Sequence, residues 1–218
     1  WFGSDSTHLL QKNEQDMSGG SHDLRGGLDW FINKKNTLSF SLGYNRNVFK
    51  SNSFTYSNNA NYIDLLDIPY QTYDQNGVSK RVGDNISATI FYKKLFNTKG
   101  RELTTDLYFS QMDRKSTNNY VQQFSVPDST LDYLQETNTI ELNRNGAAQI
   151  DFVTPVGNGG RIETGYKFSY RSVGQDYSLF DGYGEGTLQQ DSSQSNNFIF
   201  SEYINAAYFI YSNTFWEK

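Results

Sequence analysis

The chain has 218 residues, which is long enough for one large β domain or two small ones. Its formal net charge of −5 argues against nucleic-acid binding, and the absence of cysteine excludes disulfides and thiolate metal sites. A mean hydropathy of −0.70 and the lack of any apolar run of about 18 residues exclude a membrane-spanning helix.

Residues 1–22 are polar and follow no period, so we expect a surface loop that enters the first strand at about Asp23. Two segments with alternating polarity follow, joined by the polar turn 33–36. In the second segment Leu38, Phe40 and Leu42 alternate with serine and glycine. Because successive side chains of a strand point to opposite faces, this pattern predicts a hairpin with one apolar and one polar face.

The same alternation recurs down the chain and predicts about seven strands, the later ones at about 85–93, 102–110, 147–154, 161–171 and 197–211. Short turns at 97–100 and 156–160 join two of the pairs. Long polar excursions at about 49–83, 112–144 and 172–196 are expected to be loops. For the second excursion, the alternative is a hairpin with its tip at 127–130 that continues both flanking strands.

The last strand is apolar in both of its rows. We expect the even-numbered row to share the apolar face of the other strands, although it includes Glu202. That row contains Phe198, Phe200, Ile204, Ala206, Tyr208 and Ile210.

Connections alternate between short and long, which places all short turns at one end of the sheet. Transmembrane β-barrels are built in this way, with short periplasmic turns and long extracellular loops. We therefore predict an antiparallel up-and-down transmembrane barrel, with Lys34, Lys35, Lys99 and Asn158 in the periplasm and Asn58, Asp128 and Gly184 outside. A soluble β-sandwich also alternates apolar and polar residues, but it has no reason to alternate its loop lengths.

The distribution of charge points to the same architecture. The apolar face of the first six strands contains no charged residue, as a lipid contact requires, because Lys or Arg facing lipid costs about 2 to 4 kcal/mol at the midplane. The polar face carries charges of both signs, which we predict to face the lumen: Arg25, Asp29, Lys93, Glu102, Asp106, Asp151, Glu163, Lys167 and Arg171, with Asp23 beside them.

No motif for a nucleophile, a phosphate-binding loop or a metal site can be found, so we expect no enzymatic activity, no cofactor and no metal. Asp151 with Glu163 would provide the paired carboxylates of a glycosidase, but solvated lumen charge is the favoured interpretation. Exposed aromatic rings can stack on a ligand or anchor a partner. The candidates in the excursions are Tyr62, Tyr70, Tyr73, Tyr177, Phe180 and Tyr183, with packing of the loops against one another as the alternative.

Three segments resemble hairpins of the large outer-membrane β-barrel family of Bacteroidota that is related to TonB-dependent receptors. They are GLDWFINKKNTLSFSLGYN, QIDFVTPVGNGGRIETGYKFSYR and NNFIFSEYINAAYFIYSNTF. The resemblance implies an amino-terminal plug and more strands than this chain supplies. Residues 1–218 are then expected to be an internal part of a single outer-membrane barrel domain.

The resemblance also implies a function, namely uptake of a bulky nutrient through a plugged lumen with energy coupled from the periplasm. The expected partners are outer-membrane lipid, a plug domain and the rest of the barrel, with a surface lipoprotein as a further candidate. Two other functions remain open at this point. They are a non-transporting barrel subunit of a larger outer-membrane assembly and a soluble β-sandwich binding module.

Overall fold

The computed structural model describes residues 6–63, 66–127, 131–157 and 159–213, which form one antiparallel sheet of eight strands. Seven strands are long and one has two residues: β1 Ser6–Asn33, β2 Asn36–Ile63, β3 Leu66–Leu95, β4 Glu102–Val126, β5 Tyr133–Val156, β6 Gly160–Tyr183, β7 Gln189–Gln190 and β8 Asn196–Asn213. Strands adjacent in sequence pair from β1 to β7, and β8 pairs with β6. The predicted all-β, antiparallel, up-and-down architecture is confirmed.

No pairing joins β8 to β1 within the described residues, so the sheet is open there. The same residues include no helix that is long and apolar enough to cross a membrane.

The strands are longer than the sequence predicted. β1 already begins at Ser6, so the loop expected over residues 1–22 is wrong for its described part. The excursion at 49–83 is also strand, with β2 running to Ile63 and β3 starting at Leu66. At these positions both faces carry polar residues, which removes the alternation of polarity while the backbone ladder continues. The alternative of a hairpin continuing β4 and β5 is confirmed, with Pro127 at its turn.

The short turns meet at one rim of the sheet. The amide of Leu95 donates to the carbonyl of Lys35 over 2.7 Å, and the Lys35 ammonium donates to Asn97 of the next turn. Gly100 and Gly157 adopt positive φ values of 81° and 59° in these turns, a conformation that favours glycine. Asn58 and Gly184 lie at the opposite end. The sequence also predicts Asn158 in the periplasm and Asp128 outside the cell, but both lie outside the described residues.

A short segment covers the edge of β6 where β8 stops pairing. β8 pairs with β6 as far as Tyr177, and the two-residue β7 then pairs with Phe180 and Asp181. The amide of Asp191 donates to the Leu179 carbonyl over 2.9 Å. Hydrogen bonds from Ser193 and Gln194 to the Asp191 carboxylate hold this turn and lower the pKa of Asp191. The third excursion is therefore a folded connection that protects a strand edge.

The pairing register divides the side chains into two faces, because directly opposed residues of an antiparallel pair point the same way. We call one the apolar face, after its central row across the seven long strands: Leu28, Phe40, Ile90, Leu107, Ala148, Phe168 and Asn205. The other we call the polar face; one of its rows is Asp29, Ser39, Phe91, Asp106, Gln149, Lys167 and Ala206.

This register corrects the predicted facing of the last strand. Lys167 lies opposite Ala206 and Glu163 opposite Ile210, so the even-numbered row of β8 belongs to the polar face. The odd-numbered row, which includes Tyr203 and Phe209, shares the apolar face instead. Both rows of β8 are apolar, and for that reason polarity could not decide between them; hydrogen bonding to β6 does.

The sheet is a single layer with almost no enclosed core. Ala60 and Leu179 are the buried hydrophobic residues of the described part, whereas large apolar side chains lie exposed along the apolar face. Leu28 is 69% exposed and Trp30 is 59% exposed. Burial of apolar surface is the main stabilising term in folding. The apolar face therefore needs a covering that these described residues do not supply.

One packing arrangement ties three strands together on the polar face. The Tyr208 hydroxyl of β8 donates to Asp151 of β5 over 2.7 Å, and its ring crosses Gly165 of β6, which lies between them. A methyl group at Gly165 would clash with both the Tyr208 ring and the Asp151 carboxylate. Glycine at this position is what allows the bridge to form.

We predict that Gly165→Ala lowers the melting temperature of the full-length protein in detergent, with a loss of about 1 to 3 kcal/mol, as is usual for overpacking. Gly146→Ala is the matched control, since its new methyl carbon would approach no closer than 3.8 Å to the Tyr108 carbonyl oxygen. Adding Tyr208→Ala to Gly165→Ala should remove most of the clash. An unchanged melting temperature in Gly165→Ala would contradict this packing.

Candidate functional site

The charged residues that the sequence assigned to a lumen all lie on the polar face: Arg25, Asp29, Lys93, Glu102, Asp106, Asp151, Glu163, Lys167 and Arg171. They belong to five different strands, so the sheet brings together charges that are far apart in sequence. Their contact with a lumen remains a prediction. The nine side chains form a surface with charges of both signs, and we call this surface the charged wall.

Part of this charge is neutralised within the wall. Lys93 Nζ lies 2.9 Å from a carboxylate oxygen of Glu102, and Arg161 Nε lies 3.1 Å from Glu163. Arg25 pairs with Asp23 on its own strand over 2.9 Å. The side chains of these pairs are between 29% and 80% exposed, and pairs of this kind contribute little stability by themselves.

Other charges of the wall have no such neighbour. Asp29, Lys167 and Arg171 are exposed and take part in none of the ion pairs found among the described residues. Arg171 is directly opposite Glu202 in the register, yet their charged groups do not come within ion-pair distance. The wall therefore presents free anions and free cations on the same surface.

The predicted excursion aromatics do not form one cluster. Tyr73, Tyr177 and Tyr183 lie on the polar face and Phe180 on the apolar face, while Tyr70 sits in an irregular step of β3 and is 49% exposed. The backbone of Tyr62 belongs to β2, and its side chain lies outside the described part of the structure.

The structure adds Phe124 and Tyr133 to the polar face, which sequence reasoning missed. Tyr73 packs against Phe124 with ring centroids 5.5 Å apart, and Tyr183 against Tyr133 at 5.1 Å. Burial and a 2.9 Å hydrogen bond to Asp181 raise the pKa of Tyr133 to about 12, so its hydroxyl stays protonated at neutral pH. In the sequence, Tyr120 and Phe124 recur in the same row of a strand as Gln122. The polar residues around them hide this pattern.

Farther from the short turns the polar face is dominated by uncharged, hydrogen-bonded side chains. Gln15 donates to Ser51 over 2.7 Å, Asn118 to Thr137 over 2.9 Å, and Gln122 to another glutamine over 2.6 Å. Such cross-strand amide and hydroxyl pairs stabilise the sheet. They explain how long hairpins without an apolar core hold their shape.

The apolar face has a band that contains no charge. On β3 the bounding charges are Asp84 and Lys94, which are ten residues apart, or roughly 33 Å at 3.3 Å per residue. A strand tilt of about 40° reduces this to roughly 25 Å, the height of the apolar band of a membrane barrel. Tyr44 marks the border of the band that is farther from the short turns, where its hydroxyl donates to Asp84 over 2.6 Å.

A family model described as "Outer membrane protein beta-barrel family" matches residues 94–218, which is more than half of the chain. The chain belongs to this family. It is therefore an outer-membrane protein. Among curated proteins, none matches the chain.

Membership of the outer-membrane barrel family explains the exposed band. Barrels of this kind turn an apolar band toward lipid and a polar surface inward. The uncovered apolar side chains of the structure lie on the face for which the sequence predicts lipid contact.

We predict that Phe168→Arg impairs assembly into the outer membrane, because it sets a cation against hydrocarbon at a cost of about 2 to 4 kcal/mol near the midplane. Phe168 lies in the central row of the band, opposite Ala148 and Asn205. Lys167→Phe is the matched control, since it changes the adjacent residue on the polar face. Heat-modifiable migration on a gel measures the folded fraction, and equal losses in both variants would contradict the assigned faces.

Proposed function

We propose that this chain forms part of a transporter or receptor barrel, related to the TonB-dependent receptors of Bacteroidota, that takes up a bulky nutrient. Further strands close the barrel and a plug domain fills its lumen, with energy coupled from the periplasm. The chain performs no catalysis in this role. The observation that carries the proposal is the mixed and partly unmatched charge of the polar face.

The signs of these charges favour a plugged lumen over an open pore. An ion-selective pore lines its wall with one sign of charge, whereas this wall carries Asp29 and Asp106 along with Lys167 and Arg171. Charges enclosed between protein surfaces are costly unless they are paired. A plug that presents complementary groups would supply the partners that the wall lacks.

The inner row of β8 gives independent support for a protein partner inside the barrel. Phe200 is 53% exposed, Ile204 51% and Ile210 49%, and all three lie on the polar face. A water-filled lumen gives no reason for an apolar row at this position. Packing of a plug against β8 would bury that row.

The alternatives differ in how well they fit. A soluble β-sandwich requires a second sheet, and the described residues form a single one. A non-transporting subunit of a larger outer-membrane assembly fits the fold equally well, and the long hairpins beyond the band offer a surface for a lipoprotein partner. The unmatched charges inside the wall favour the transporter, because an accessory barrel does not require them.

Glu163→Gln together with Lys167→Gln should loosen the plug in the full-length protein and admit small solutes, while the barrel stays folded. The readout is antibiotic or dye entry into cells that express the variant, with heat-modifiable migration to verify folding. We expect a measurable rise in permeability, because both the Arg161 pair and the free Lys167 charge lose their role in holding the plug.

The matched control is Lys12→Gln with Glu14→Gln, which removes one charge of each sign from an exposed 2.7 Å ion pair on β1. This control should leave permeability unchanged. Unchanged permeability and normal growth on every transported nutrient in the Glu163 and Lys167 variant would instead favour the accessory-subunit role.

A further inference from the structure

Three lysines stand near one another on the apolar face beyond the charge-free band, and we call them the lysine patch: Lys50, Lys80 and Lys115. Lys50 of β2 lies directly opposite Lys80 of β3. Lys80 in turn lies opposite Thr117 of β4, two residues from Lys115 on the same face. The patch therefore spans three adjacent strands.

The patch has no internal compensation. All three side chains are exposed, and the ion pairs found among the described residues include none of them. The nearest carboxylates on this face are Asp16, Asp84 and Asp113, each one row from a lysine of the patch; Asp84 pairs with Arg46, and none of the three forms an ion pair with a patch lysine. Like charges directly opposite in a sheet are destabilising. An anion bound between Lys50 and Lys80 would remove that repulsion.

The position of the patch identifies the environment of such an anion. Arg46, which pairs with Asp84 over 3.5 Å, marks the border of the band. Lys50 lies four residues beyond it, or roughly 13 Å along the strand and less after tilt is allowed for. That height corresponds to the headgroup layer, and long lysine stems let ammonium groups adjust their depth. The patch faces lipid, so a nutrient in the lumen would not meet it.

We propose that the lysine patch binds the phosphate groups of an anionic phosphorylated glycolipid in the outer leaflet of the membrane. Lysine acts as a point charge for phosphate, and three ammonium groups on neighbouring strands match a headgroup with more than one phosphate. The proposal rests on the outward orientation of the long hairpins. It does not depend on transport or on the plug.

The test uses the full-length protein in detergent micelles, with diphosphorylated lipid A as the probe and native mass spectrometry as the readout. Lys50→Gln, Lys80→Gln and Lys115→Gln together should weaken lipid A retention by at least about tenfold, given the surface attraction typical of each lysine. The matched control removes three lysines from the short turns by Lys34→Gln, Lys35→Gln and Lys99→Gln, and it should retain lipid A. Heat-modifiable migration verifies that both variants are folded.

Two further arms separate the sources of phosphate. Phosphatidylcholine should not compete for the patch, and inorganic phosphate should displace lipid A only weakly. Equal retention of lipid A by both triple variants would overturn the proposal. So would inorganic phosphate that competes for the patch as effectively as added free lipid A does. The single change Lys80→Gln should give an intermediate loss.

Orientation is measured separately on intact cells with an impermeant thiol reagent. Gly184→Cys should be labelled and Lys99→Cys should not. The reverse pattern would place the patch at the periplasmic leaflet and contradict the proposal. Neither experiment involves uptake, so a failure of lipid binding is distinguishable from a failure of the transport function.

Discussion

The continuous backbone ladder is the constraint on which the rest of this structure depends. The pairing runs without a register shift from Glu102 to Gln122 between β4 and β5, and over the whole strand length between β5 and β6. A slip of one residue would turn every side chain to the opposite face. Both the uncharged band and the charged wall therefore exist only because the central rows of all seven long strands keep one register, and the register shifts of β1 to β4 lie near the strand ends.

This constraint also explains why a chain with low mean hydropathy suits a membrane. Only alternate residues over a limited height meet lipid, and beyond that height both faces meet water. Lys50 and Lys80 can lie on the same face as Phe40 and Ile90 because the strand continues past the hydrocarbon. The same geometry sets polar contacts such as Asn118 to Thr137 where an apolar core is absent.

Sequence reasoning succeeded where polarity alternates and failed where it does not. The facing of Phe168 and Lys167 was predictable because their strand places apolar and polar residues in separate rows. The facing of β8 was not, since Phe209 and Ile210 are equally apolar and only pairing with β6 separates them. The extension of β2 beyond Tyr44 was missed for the opposite reason, because polar residues occupy both rows. Tyr133 was missed with it, as its ring partner Tyr183 becomes adjacent only through cross-strand pairing.

The central claim is that the apolar face meets lipid and the polar face does not, and Trp30 and its neighbour Phe31 test it directly. They are 59% and 73% exposed on opposite faces of β1. In vesicles with brominated acyl chains, the fluorescence of Trp30, taken as the difference from Trp30→Phe, should be strongly quenched. In the exchanged variant, Trp30→Phe with Phe31→Trp, lipid quenching should be lost and quenching by aqueous acrylamide should rise. Lipid quenching that is equal at both positions, or stronger in the exchanged variant, would contradict the account.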